Sequence, residues 1–68
     1  MITVKEAVSL LKDSKKIYIA WAGCTTQLDT RCTLMMDAYG KYLVSEINQG
    51  NENNTFELQI ASRPMAQE

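Results

Sequence analysis

The chain has no histidine, and its two cysteines, Cys24 and Cys32, are its strongest nucleophiles. A thiolate reacts or binds metal only when something lowers its pKa, usually a neighbouring histidine or lysine. Without histidine, neither a Cys–His pair nor a Ser–His–Asp triad can form within one chain. Cys24 follows Gly23 in turn-like sequence, where a lysine could still activate it. The plainer reading is two small, inert thiols. A secreted domain of this size would carry more cysteines and a leader, whereas Met1 to Leu11 is charged and amphipathic. The cysteines are therefore read as reduced, in a cytoplasmic protein.

Metal and cofactor chemistry is as poorly provided for. A structural zinc ion wants four thiolate or imidazole ligands, and two thiols are present. Asp29 and Asp37 are far apart in sequence, and Asn51-Glu52-Asn53 lacks the length and glycine of a calcium loop. Gly23, Gly40 and Gly50 are isolated, so no phosphate-cradling glycine loop exists. No metal and no cofactor is expected, and no enzymatic activity.

Charge supplies one alternative. Residues 1–22 hold Lys5, Lys12, Lys15 and Lys16 against Glu6 and Asp13, while residues 23–68 are net acidic and bring the whole chain to −1. Lys12, Lys15 and Lys16 make a basic corner, and Tyr18 or Trp21 on a strand could stack on bases. A dedicated nucleic-acid-binding domain is usually more basic than this. The corner also reads as a solvated helix end, and Trp21 as a core residue.

The elements that would position these groups follow from patterning. Thr3-Val4-Lys5-Glu6 fits a capping box, and Val4, Ala7, Val8 and Leu11 recur at helical spacing behind it. This predicts an amphipathic helix over residues 4–13. Ile17 to Ala22 reads as a strand apolar on both sides, hence interior and covered on both faces. A tight turn at Ala22-Gly23 would lead into a short return strand over Thr25, Thr26 and Leu28.

Residues 33–49 admit two readings. As a strand pair turning at Tyr39-Gly40, they mix Met35, Asp37, Tyr39, Lys41, Leu43 and Ser45 on one face, which is poor patterning. As one helix they sort well, with Asp37, Lys41, Ser45, Asn48 and Gln49 on one side. Thr33 would cap its start, Gly50 would end it in a left-handed conformation, and Asp37 would pair with Lys41. The helix is preferred, although Gly40 inside it costs about 1 kcal/mol relative to alanine. After a polar loop, Phe56, Leu58 and Ile60 alternate in a last strand. Arg63-Pro64 ends that strand, and residues 63–68 read as a frayed tail.

The fold class is therefore α+β, a small single domain in the order α-β-(β)-α-β. Two helices would pack on a two- to three-stranded sheet, with the three strands in spatial order 2-1-3 and the second and third parallel. A chain of 68 residues has a thin core, which self-association commonly supplements. The long second helix would show an apolar arc of roughly 200°, wider than its sheet can cover. Met35, Met36, Tyr39 and Tyr42 on that arc are types that interfaces favour. The expectation is a non-enzymatic interaction module, self-associating most simply as a homodimer and binding another protein through this arc and neighbouring strand edges. Alternatives are a small nucleic-acid-binding domain led by Lys12, Lys15 and Lys16, and a small-ligand binder at a subunit junction lined by Tyr18, Tyr39 and Tyr42. No apolar run approaches the length of a membrane span.

Overall fold

A computed structural model describes residues 2–63. Along the chain lie β1 (Ile2–Thr3), α1 (Val4–Leu10), β2 (Lys16–Trp21), β3 (Cys24–Leu28), α2 (Thr33–Tyr39), β4 (Leu43–Gln49) and β5 (Thr55–Ser62). The α+β class holds, but the sheet has five strands rather than two or three, in the order β1-β4-β5-β2-β3. The expected 2-1-3 arrangement survives as β3-β2-β5. The parallel pair, however, is β2 with β5, and β3 runs antiparallel to β2. The tail expected over 63–68 lies, from Pro64 onward, outside the described residues. No described helix is long and apolar enough to cross a membrane.

The first helix begins where its capping signal places it. The Glu6 amide donates to Thr3 Oγ1 at 3.2 Å, and the Thr3 amide donates to Glu6 Oε1 at 2.9 Å. Two further amides of the first turn find carbonyls in another part of the chain. Val4 N–H donates to Tyr42 O at 2.9 Å, and Lys5 N–H to Gly40 O at 3.0 Å. These four bonds satisfy donors that a helix start leaves without partners, and they tie α1 to the turn between α2 and β4. The helix ends at Leu11, its C-cap, short of residue 13.

The largest correction concerns residues 33–49, which are not one helix. α2 is a seven-residue helix, followed by a turn through Gly40 to Tyr42 and then by strand β4. Cys32, not Thr33, stands at the N-cap, and its side chain makes no capping bond. Lys41 lies beyond α2, so the expected Asp37/Lys41 helical pair does not form. Gly50 follows a strand, and its φ is not in the left-handed region.

A bulge explains the misleading pattern. Val44 pairs with Ile60 and Glu46 with Gln59, which leaves Ser45 as an extra residue in β4. The extra residue shifts the alternation by one. Val44 and Ile47 consequently point to the same face although they are three positions apart, a spacing that imitates a helix.

Both helices cover one face of the sheet. Val4 and Ala7 of α1 pack with Ile17, Ile19, Leu28, Val44, Leu58 and Ile60 as the buried core. The opposite face carries Tyr18 and Ala20 of β2, Thr25 and Gln27 of β3, and Glu57 and Gln59 of β5, half-buried or exposed. The expectation that β2 is covered on both sides is thus corrected: β2 is interior to the sheet, but its second face is open. The β2–β3 connection is the tight turn read from Ala22-Gly23, and both residues have positive φ, 53° and 82°. Positive φ at both central positions is the type I′ pattern that matches strand twist in two-residue hairpins.

Candidate functional site

The sheet has two edges of very different character. One is β1, only two residues long and continuous with α1. The other is β3, five residues of sequence Cys-Thr-Thr-Gln-Leu, of which the first four are exposed. This edge contains no charge, no proline and no bulge, the usual devices that keep edges from pairing.

The hairpin sets which backbone groups of β3 face outward. Trp21 and Cys24 flank the two-residue turn and pair with each other. In such a turn the amide of the fourth residue bonds back to the carbonyl of the first, so Cys24 bonds inward to β2. Residues of an antiparallel strand alternate in this respect. Cys24, Thr26 and Leu28 therefore bond to β2, and Thr25 and Gln27 direct their N–H and C=O groups to the free edge. The Thr25 and Gln27 side chains lie on the open sheet face, and that of Thr26 lies on the helix side opposite Ile19.

The residues expected to form a sticky arc sit elsewhere. Met35, Met36, Tyr39 and Tyr42 are half-buried and pack against the core cluster of their own subunit. Tyr42 meets Trp21 edge-on, with ring centroids 6.1 Å apart, and lies 5.4 Å from Tyr39. Because the helix stops at Tyr39, the broad apolar arc that motivated this surface is not present. Leu34 is the strongly exposed apolar residue of α2, at 80%. Tyr18 is on the open sheet face, away from Tyr39 and Tyr42 on the helix side, so one subunit does not bring the three tyrosines together.

Lys12, Lys15 and Lys16 line one cleft of about 610 Å³ between the end of α1 and the outer end of the β2–β3 ribbon. Arg31, from the turn after β3, joins them. Sequence spacing gave no sign of this, since Arg31 is fifteen residues from Lys16 and reaches it only because β3 folds back along β2. Thr25 and Gln27 were likewise missed as edge residues, although a turn assigned at Ala22-Gly23 is enough to fix their phase.

Both cysteines are free thiols, Cys24 exposed and Cys32 half-buried. Among the described residues, no three metal-binding side chains cluster. No family model matches the chain, and searches of curated proteins and of solved structures gave no significant match.

Proposed function

We propose that the protein is a non-enzymatic interaction module that self-associates by sheet extension, with β3 of one subunit pairing antiparallel to β3 of a second. The observation that carries this reading is the uncharged, exposed β3 edge with the outward backbone groups of Thr25 and Gln27. A two-fold axis through Thr26 places Thr25 opposite Gln27 of the second copy, and Gln27 opposite its Thr25. Each such pair exchanges two backbone hydrogen bonds, so the junction has four. The pattern is self-complementary, as a two-fold interface requires.

Nothing in the pairing sets like charges against each other, because Cys24 to Leu28 is neutral. The result is a ten-stranded sheet with all four helices on one side. Cross-strand threonine and glutamine contacts add about 0.2–1 kcal/mol per pair. A subunit whose core has only eight buried apolar side chains among the described residues gains stability from any partner that binds its folded form.

Two proline substitutions test the reading. Thr25→Pro removes an N–H that faces the free edge and has no partner within the subunit. The subunit should fold normally by circular dichroism, because proline is tolerated at such edge positions, but should sediment as a monomer where the wild-type chain sediments as a dimer. Thr26→Pro removes an N–H bonded to β2 and should destabilise the subunit itself, by about the 0.5–1.5 kcal/mol of one lost ladder hydrogen bond. A wild-type monomer at high micromolar concentration, or a Thr25→Pro chain that dimerises like wild type, contradicts the proposal.

A further inference from the structure

The cleft that gathers Lys12, Lys15, Lys16 and Arg31 shares Gln27 and Leu28 with the β3 edge, and from its cationic side chains we infer a binding site for a phosphate ester carrying a base, either a free nucleotide or a segment of single-stranded nucleic acid. The three lysines come from the turn after α1 and the entry to β2, and Arg31 comes from the far end of the hairpin. All four side chains are cations, so the lining of the cleft carries an excess of positive charge.

The cleft's single carboxylate does little to relieve this. Asp29 Oδ1 accepts the Arg31 amide at 3.0 Å and stands 3.9 Å from Arg31 Nε. It is thus directed at the turn it shapes, and the Arg31 side chain is 95% exposed. Among the described residues, no carboxylate bridges Lys12, Lys15 or Lys16. Phosphate oxygens are the natural complement, since lysine offers point charge and arginine a planar fork of donors.

Size and lining argue for more than bare phosphate. A volume of about 610 Å³ falls in the range of pockets that enclose whole small ligands. Half-buried Leu11 lines the cleft beside the buried core residues Ile17 and Leu28 and offers apolar contact to a ring. Lys16 also borders a second hollow of about 330 Å³ on the open sheet face, where Tyr18 is placed. A strand leaving the cleft past Lys16 would meet that aromatic ring, the arrangement by which single strands stack without sequence preference.

The test is titration of the full chain with inorganic phosphate, adenosine monophosphate and a labelled oligothymidylate, followed by calorimetry or anisotropy at low salt. The nucleotide or the oligonucleotide should bind at least tenfold more tightly than phosphate. An oligonucleotide much tighter than the nucleotide identifies a nucleic-acid strand as the source, and its log affinity should fall with log salt at a slope of about −2 to −3, from three to four neutralised phosphates. Comparable affinities identify a free nucleotide.

Lys15→Gln with Arg31→Gln should weaken binding at least tenfold while leaving the melting curve unchanged. Lys12→Gln with Arg31→Gln serves as the second variant should the first misfold. Absence of binding at millimolar ligand, phosphate binding as tightly as the nucleotide, or a folded double variant that binds like wild type overturns the inference.

Discussion

Leu58→Ala is expected to leave the chain largely unfolded at room temperature. Leu58 lies in β5, which has neighbours on both sides, parallel β2 and antiparallel β4. Its side chain is fully buried, and its register partners are Ile19 on one side and Ile47 on the other. Truncating a buried leucine to alanine removes about 2–5 kcal/mol, through lost transfer energy and the cavity left behind. A domain of this size rarely holds more than about 3–5 kcal/mol in total, so one substitution can exhaust it. Urea denaturation followed by Trp21 fluorescence and circular dichroism checks this. Leu34→Ala is the control: at 80% exposure it should change stability by less than about 0.5 kcal/mol. A Leu58→Ala chain with a wild-type midpoint would show that the core is not centred on β5.

Gly40→Ala should have the next largest effect, for a reason unrelated to helix propensity. Gly40 is buried, with φ −59° and ψ −26°, conformations open to any residue. What excludes a side chain is space: a Cβ there would stand 2.5 Å from the backbone oxygen of Met36. That oxygen accepts the Gly40 amide at 2.8 Å, and the Gly40 carbonyl accepts the Lys5 amide. Relieving the contact means moving the backbone that joins α2 to the start of α1. A cost of about 1–3 kcal/mol is expected, as for other overpacked sites, with the loss seen as a lower urea midpoint. Hydrogen exchange should localise it to the Val4 and Lys5 amides. A stability gain, as alanine would give inside a free-standing helix, would contradict the close approach.

Gly40 also marks where sequence reasoning lost the chain. Thr3 and Glu6 announced the first helix because a capping box is local chemistry. Ala22-Gly23 announced the hairpin for the same reason, and β5 was readable from the alternation of Phe56, Leu58 and Ile60. Residues 33–49 failed because their pattern has a tertiary cause. The bulge at Ser45 shifts β4 by one residue, so Val44 and Ile47 share a face at a helix-like interval. β4 is also flanked by β1 and β5, and neither neighbour is visible from within the segment. β1 escaped notice because a two-residue strand has no period.

For the candidate site, the lysines were legible as a group because they are close in sequence. Arg31 was not, since only the return of β3 brings it to them. The arc of Met35, Met36, Tyr39 and Tyr42 rested on the long helix; α2 ends at Tyr39, and these half-buried side chains pack against the subunit's own core. The surface with unmet bonding capacity is instead the β3 edge, where the outward groups are backbone N–H and C=O rather than apolar side chains.

Disulfide trapping tests that edge most directly. With Cys24→Ser and Cys32→Ser removing the native thiols, Thr26→Cys places one thiol per subunit on the two-fold axis. Directly opposed residues that do not share hydrogen bonds have Cα atoms about 4.5 Å apart, within the roughly 4.4–6.8 Å that a disulfide spans. Mild oxidation should therefore give a covalent dimer rapidly. The native Cys24 alone should not, because the same register sets it four residues, about 14 Å, from its counterpart along the strands. Fast cross-linking through position 26 and slow cross-linking through Cys24 is the predicted result; no cross-link at 26, or equal rates at both, would contradict β3 pairing about Thr26.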